Sequence, residues 1–276
     1  MNVRLIAIDL DDTLLKTDLS ISEGNQEALR RAEAADIEIV LASGRNFISM
    51  SEYTAMLHLN KSGNYLICSN GAEILEAGDG RVIGQLRFPP QTCLDIASDI
   101  EDHGFPWQVY NDGKIICSRP NSWALRDRQL TGQPLVVSDS KEGTFAQGEV
   151  KFVIPGDPER IALLYAEFKE KYVNKAEIMT SKPYFLEVLP YGANKGAALA
   201  RLADYLHIPM AAVMAIGDAM NDIRMIESAG YGCAPANALD AVKVRARVVS
   251  AFTNEEDAVA DLIGSVALGD MRPENR

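Results

Sequence analysis

The chain has 276 residues, 47% hydrophobic and 24% charged, with a formal net charge of -12. That length fits one large domain or a large and a small one, and the negative balance excludes a general attraction to nucleic acid or anionic membrane. Cys68, Cys93, Cys117 and Cys233 stand far apart with no C-x-x-C pair, so neither a zinc site nor a disulfide framework is expected, and reduced thiols in a cytosolic protein are the default.

No apolar run approaches the roughly 18 residues of a membrane span, and the first residues read as a core strand rather than a signal sequence. Residues 5–8 form an apolar run bounded by turn-formers, a buried parallel strand. The run ends in Asp9-Leu10-Asp11-Asp12-Thr13, and nothing basic follows until Lys16. Like charges this close raise one another's pKa unless a cation or hydrogen-bond donors offset them. A hard divalent ion such as Mg²⁺ suits the cluster, since it takes oxygen ligands and keeps waters for phosphate-bearing substrates. A solvated acidic turn is the bland alternative.

Residues 22–35 carry helix formers behind Ser22 as an N-cap. Residues 37–42 read as a second buried strand ending in Ser43-Gly44-Arg45, with Asn46 placed to cap a helix over 47–59. Strand, small hydroxyl, glycine and helix N-terminus make an anion-binding arrangement, because exposed N–H groups and the dipole face one point; an ordinary strand-to-helix turn shares the pattern. A third strand, 65–68, runs into Ser69-Asn70-Gly71-Ala72, where Asn-Gly marks a turn. Three successive strands end in polar side chains. In an open parallel sheet those ends form the ligand crevice.

Between about 84 and 184 the character changes. Short runs at 107–110, 114–117, 135–137 and 150–154 alternate with amphipathic stretches at 93–101 and 158–172, and Asn111-Asp112-Gly113 is a hairpin signal. Antiparallel pairing is expected, so this stretch reads as an α+β module inserted into a parallel-sheet domain.

Parallel-sheet character returns at Ala193-Asn194-Lys195-Gly196, which opens a helix to about 205. A lysine in the first turn opposes the helix dipole, so Lys195 either extends into solvent or meets an anion. Residues 211–216 form another buried strand, ending in Gly217-Asp218-Ala219-Met220-Asn221-Asp222. Two acidic strand ends in one sheet can converge on one cation. Short strands at 231–234 and 247–249, a helix at 257–263 and a polar tail from Gly269, expected to be mobile, close the chain.

With D-x-D-x-T at Asp9, Asp11 and Thr13, a strand-ending Ser43, Lys195 opening a helix and G-D-x-x-N-D over 217–222, the chain resembles the haloacid dehalogenase-like phosphatases. The insertion, Ser69-Asn70-Gly71-Ala72 and residues 187–196 are similar to the Cof-type subgroup with a C2-type cap. The chain departs from the subgroup's G-V-A-M-G-N-A at Gly232-Cys233-Ala234-Pro235-Ala236-Asn237-Ala238, and has Ala258 where glycine is usual. Asn237 and Lys243 keep their expected places.

The resemblance implies an α/β fold: a Rossmann-like parallel-sheet core in two parts, 1–84 and 187–276, with an inserted α+β cap over 85–186. It implies a Mg²⁺-dependent phosphatase working through an aspartyl-phosphate, with Asp9 as nucleophile and Asp11 as general acid and base. Asp9, Asp11 (through its backbone carbonyl), Asp218 and Asp222 make the metal set. Leu10, Ser43, Gly44, Arg45, Asn70, Lys195 and Asn221 are the phosphate or substrate contacts. Carboxylates on alternate residues of an extended segment point to opposite sides, so a bend after Asp9 is required, and the family has a helical turn there.

An acid at Asp11 separates the chain from dehalogenases, which lack one, and from transport ATPases, which have threonine. The alternatives are a phosphomutase of the same superfamily and a metabolite-binding regulator without turnover. The cap is expected to choose the leaving group. Trp107, Tyr110, Trp123 and Tyr184 offer rings for stacking, although aromatics at such spacing are more often core; Arg45, Arg126, Arg128 and Lys182 offer charge. Sugar phosphates, pyridoxal phosphate or nucleotide cofactors fit the family as substrates of a cytoplasmic monomer or weak homo-oligomer.

Overall fold

The computed structural model describes residues 3–270, so residues 271–276 of the expected mobile tail lie outside the described residues, as do residues 1–2. Asp270, within them, is held by Arg31, whose guanidinium nitrogens reach its carboxylate at 2.9 and 3.0 Å. Among the described residues no helix is long and apolar enough to cross a membrane.

By their internal contacts the described residues fall into two compact units. One holds 3–43, Ser51–Gly84 and 194–270; the other holds Gly44–Met50 and Gln85–Ala193. The strands in chain order are β1 (Leu5–Ile8), β2 (Glu38–Ala42), β3 (Tyr65–Cys68), β4 (Glu73–Glu76), β5 (Val82–Gln85), β6 (Gln108–Asn111), β7 (Lys114–Cys117), β8 (Leu135–Val137), β9 (Phe152–Pro155), β10 (Ala176–Lys182), β11 (Phe185–Pro190), β12 (Val213–Ile216), β13 (Tyr231–Ala234) and β14 (Val248–Val249).

The first unit is built on a sheet of order β14-β13-β12-β1-β2-β3-β4-β5. From β14 to β3 every pairing is parallel. β1 lies in the middle with all four residues buried, which is why it reads as an unbroken apolar run rather than an alternating one. Leu5 and Ala7 on one face pack with Val40, Ala42, Val213 and Ala215 of neighbouring strands and with Leu199 and Leu202 of the helix Lys195–Tyr205. Ser22 caps the helix Glu23–Ala34 by accepting from the Asn25 N–H at 3.1 Å.

β4 and β5 were not expected. β4 runs antiparallel to β3, so the sheet is not parallel throughout. The chain reverses through Ser69, Asn70 and Gly71, all at positive φ. This is the turn marked by Asn-Gly, and Gly71 is required there for two reasons. Its φ is +90, and a Cβ would collide with the Asn194 carbonyl oxygen.

The second unit has a sheet of order β10-β11-β9-β6-β7-β8. Its pairings are antiparallel from β10 to β7, and β6 meets β7 through Asp112 and Gly113 at positive φ, the expected hairpin. β7 and β8 pair in parallel, against the expectation of antiparallel pairing. They can do so because the helix Ser122–Thr131 lies between them in the chain and carries it back to the same edge. β10 escaped the reading because it is an edge strand, largely half-buried or exposed, with no apolar alternation.

β11 is flanked by β10 and β9, with Glu187 opposite both Met179 and Val153. Residues 187–193, expected with the second part of the core, therefore belong to the inserted unit. Gly44–Met50, expected within 1–84, also falls there. Trp107 is core: it is buried with Val109, Phe152, Ile154 and Val188 on one sheet face, against Ile96, Ile100, Leu164 and Phe168 of the helices Pro90–Asp102 and Pro158–Lys171. Trp123 and Tyr184 stack on each other at 4.9 Å between ring centroids.

Candidate active site

β1 and β12 are parallel neighbours, in register from Leu5 opposite Val213 to Ile8 opposite Ile216. Their carboxyl ends therefore emerge side by side, and the Asp9 N–H still donates to the Ile216 carbonyl at 2.9 Å. Beyond Asp9 the chain makes one wide turn, Leu10–Leu14, closed by Leu15 N–H to the Leu10 carbonyl at 2.8 Å and Leu14 N–H to the Asp9 carbonyl at 3.3 Å. Asp11 is extended (φ -71, ψ 127) and Asp12 left-handed (φ 60) within it. This is the bend that alternate carboxylates require.

Beyond β12, Gly217 lets the chain fold tightly over Asp222. A Cβ on Gly217 would sit 2.5 Å from the Asp222 Cβ and Cγ. The Asp222 Oδ2 accepts the Asp218 and Ala219 N–H groups at 3.1 and 3.0 Å. Thr13 donates its hydroxyl to Asp218 Oδ1 at 2.9 Å, joining the two acidic turns. Sequence reasoning gave the Thr13 hydroxyl no role, although its fixed place in D-x-D-x-T was the available signal.

Lys195 enters from the start of its helix, whose N-cap Asn194 accepts the Ala197 N–H at 2.8 Å. Of the two readings left open for this lysine, the structure selects the anion. The side chain is fully buried, and its Nζ donates to Asp9 Oδ1 at 2.5 Å and to Asp222 Oδ1 at 2.6 Å. Carboxylate oxygens of Asp9, Asp218 and Asp222 all lie within 4.8 Å of one another. The Asp11 carboxylate stands outside that trio.

One ammonium serves three buried carboxylates, and the charge is not balanced. Burial pushes the Asp9 carboxyl well above the usual range; Lys195 pulls it back, and Asp222, Asp218 and Asp11 add to the rise. Asp218 is pushed up to about 6, first by burial and then by Asp222, against the Thr13 hydrogen bond. Burial works against the Lys195 ammonium, yet Asp222 and Asp9 outweigh it and hold its pKa above the ordinary value. Surplus negative charge on oxygen-only donors fits a hard divalent cation, whose own charge would return the carboxyls to their ionised forms.

Around this centre, Leu10 and Ser43 are buried. Ser43 is fixed through its backbone: its N–H donates to the Ile67 carbonyl at 2.8 Å, and its carbonyl accepts the Asn70 N–H at 3.0 Å. Asn221 donates to the Asn70 side-chain oxygen at 2.9 Å, so these two expected substrate contacts are brought together. Gly44 and Arg45 belong to the second unit, where the Gly44 carbonyl accepts the Lys151 ammonium at 2.9 Å.

A parallel sheet whose adjacent strand ends carry a buried carboxylate trio, two of them bridged by a lysine, defines a hydrolase class. The chain belongs to the haloacid dehalogenase-like hydrolases, whose family model matches residues 6–263. It is 34% identical over 265 residues to the 5-amino-6-(5-phospho-D-ribitylamino)uracil phosphatase of Bacillus subtilis, covering 95% of each chain. To another phosphatase of that organism it is 30% identical over 288 residues, covering 95% of this chain and 99% of the relative. The crystal structure of a haloacid dehalogenase-like hydrolase from Bacteroides thetaiotaomicron superposes with a TM-score of 0.87 at 28% identity, covering 96% of this chain and 99% of that one. The protein is a phosphatase of this family, as its motifs led one to expect.

Proposed function

We propose that this phosphatase is a Mg²⁺-dependent phosphomonoesterase that works through an aspartyl-phosphate on Asp9. The observation that carries the reading is the buried Lys195 ammonium shared between Asp9 and Asp222 beside Asp218. An Asp9 oxygen attacks phosphorus as the ester P–O bond breaks, splitting one hard displacement into two easier ones. Asp11 gives its proton to the departing alkoxide, then takes one from the water that attacks the phospho-Asp9, releasing phosphate and the free carboxylate.

Lys195 holds Asp9 and lends its charge to the equatorial phosphate oxygens, where this chemistry most needs it. Ser43 and the Gly44 N–H share that work, with Arg45, Asn70 and Asn221 on substrate. Asp9, the Asp11 carbonyl and Asp218 would hold Mg²⁺, which supplies positive charge that makes the anionic substrate tolerable beside carboxylates. Asp222, with one oxygen on Lys195 and the other on two backbone N–H groups, supports that set by fixing the lysine and the 218–219 turn.

The substrates on this reading are small phosphorylated metabolites: sugar phosphates, pyridoxal phosphate or nucleotide cofactors. The Bacillus relative, named for a phosphorylated ribitylaminouracil, supports a polyol phosphate among them. The reading takes the protein as a cytoplasmic monomer or weak homo-oligomer. The test is phosphate release from a panel of small phosphomonoesters, with Mg²⁺ and with chelator, for wild type and Asp9→Asn. Release that needs both metal and Asp9 supports the proposal; an Asp9→Asn variant keeping most of its turnover overturns the nucleophile assignment. Binding without turnover on every member moves the protein to the regulator or mutase reading.

A further inference from the structure

The turn that carries Asp11 is held from outside by two asparagines distant in the chain. Asn237, in the loop after β13, donates its side-chain N–H to the Asp12 carbonyl at 2.7 Å. Its side-chain oxygen accepts the Asn254 backbone N–H at 2.9 Å. Asn254, buried, donates its side-chain amide to the Leu15 carbonyl at 2.9 Å. The two amides form one chain of hydrogen bonds that grips the Asp11 turn at two carbonyls, one just after Asp11 and one at its exit.

The turn needs such a grip. Its wide closure leaves Asp11 and Asp12 outside helical geometry, with Asp12 left-handed, a conformation uncommon for any residue but glycine. The Thr13 hydroxyl fixes the turn on the Asp218 side, and the asparagines fix the other. The Asp12 carbonyl belongs to the Asp12–Thr13 peptide, the next one after the peptide that joins Asp11 to Asp12, so holding it restrains the left-handed Asp12 and, through it, the arm of the turn that carries Asp11.

We infer that Asn237 is a positioning residue for the general acid: through the Asp12 carbonyl, and braced by Asn254, it aims Asp11 at the leaving-group oxygen. The inference rests on the reading of Asp11 as general acid given above. A proton delivered in the transition state matters most when the departing alkoxide is poor and little when it is already stable. Misaiming Asp11 therefore slows alkyl phosphates and largely spares an aryl phosphate with a good leaving group. General loosening of the site would slow both alike.

The experiment measures kcat/KM, which reports the steps up to alcohol departure, for an alkyl phosphate turned over by the wild type and for 4-nitrophenyl phosphate. The proteins are wild type, Asn237→Ala, Asn237→Asp and Asp11→Asn, all with Mg²⁺. Asn237→Asp keeps the acceptor for Asn254 but loses the donor to Asp12, so it serves where the alanine variant fails to fold. For the Asn237 variants kcat/KM for the alkyl phosphate is expected to fall by about tenfold or more, a fraction of the 10²–10⁴ a general acid supplies, while kcat/KM for the aryl phosphate changes by no more than about threefold. Equal losses on both substrates, or none on either, in the Asn237 variants overturn the inference if Asp11→Asn does discriminate between them. If Asp11→Asn fails to discriminate, the acid assignment itself falls, and the inference with it.

Discussion

Lys195 Nζ donates to Asp222 Oδ1 at 2.6 Å, and both side chains are fully buried. A buried ammonium is tolerable only beside opposite charge, and the two aspartates on it are equally dependent on the lysine. Lys195→Met removes the positive partner and leaves carboxylates of similar surroundings uncompensated. The expected destabilisation is about 3–5 kcal/mol in urea unfolding at neutral pH. Adding Asp9→Asn and Asp222→Asn to the same chain is expected to recover part of it, because residues in one network do not add. A single variant as stable as wild type would show that Asp9 and Asp222 do not hold the ammonium in solution.

A Cβ on Gly217 would sit 2.5 Å from the Asp222 Cγ and 2.7 Å from its Oδ2. Gly217→Ala forces Asp222 away, and with it the anchor for Lys195 and for the Asp218 and Ala219 N–H groups. Overpacking of this kind costs about 1–3 kcal/mol. The loss of phosphate release is expected to exceed what the shift in thermal midpoint accounts for, as seen by assaying well below that midpoint. Full activity at that temperature would mean that Asp222 can move without consequence.

Glu76 gives a pH test away from the chemistry. Its carboxylate accepts the Gly63 N–H and the Ser62 hydroxyl, each at 2.8 Å, and pairs with Arg81 at 2.7 Å. These partners, the Gly63 N–H first, hold its pKa at about 2, against an ordinary 4.5. A carboxyl lowered by folding contributes stability that is present above its unfolded value and lost as pH falls through the folded one. The stability difference between wild type and Glu76→Gln should therefore narrow as pH drops from 4.5 toward 2. Chemical denaturation across that window reads it, and a difference that stays constant would contradict the pairing.

Mg²⁺ should raise the thermal midpoint of the resting protein without any substrate, since a ligand that binds only the folded state stabilises it by mass action. Asp218→Asn, which removes one carboxylate of the trio, should abolish most of that rise. Calorimetry with Mg²⁺ and with chelator measures both. An equal rise in wild type and variant would place the cation elsewhere.

The sequence by itself determined a great deal near the chemistry. β1 and β12 are apolar runs cut off by aspartates, and such a run is legible because a strand buried on both faces tolerates nothing else. The chain signals at Ser22, Asn46 and Asn111-Asp112-Gly113 are local, and the caps and the hairpin formed where they stood. Asp9, Asp218 and Asp222 stand at or just past these ends, and Lys195 stood out as a lysine in the first turn of a helix.

Only the tertiary structure decided what those residues do to one another. Lys195 was open between solvent and an anion until the sheet register set its helix beside Asp9 and Asp222, because burial is a property of the packed fold and not of a first helical turn. Thr13 and Asn237 stood in recognisable motifs, but their partners, like those of Asn254, stayed silent in sequence for the same reason. Hydroxyls and amides bond across 205 to 239 residues here, and no local pattern encodes a partner at that distance. The edge strands β5 and β10 were likewise invisible, since an edge needs one neighbour and no alternating apolar face. Position along the chain gave the groups; the parallel sheet brought them to one place.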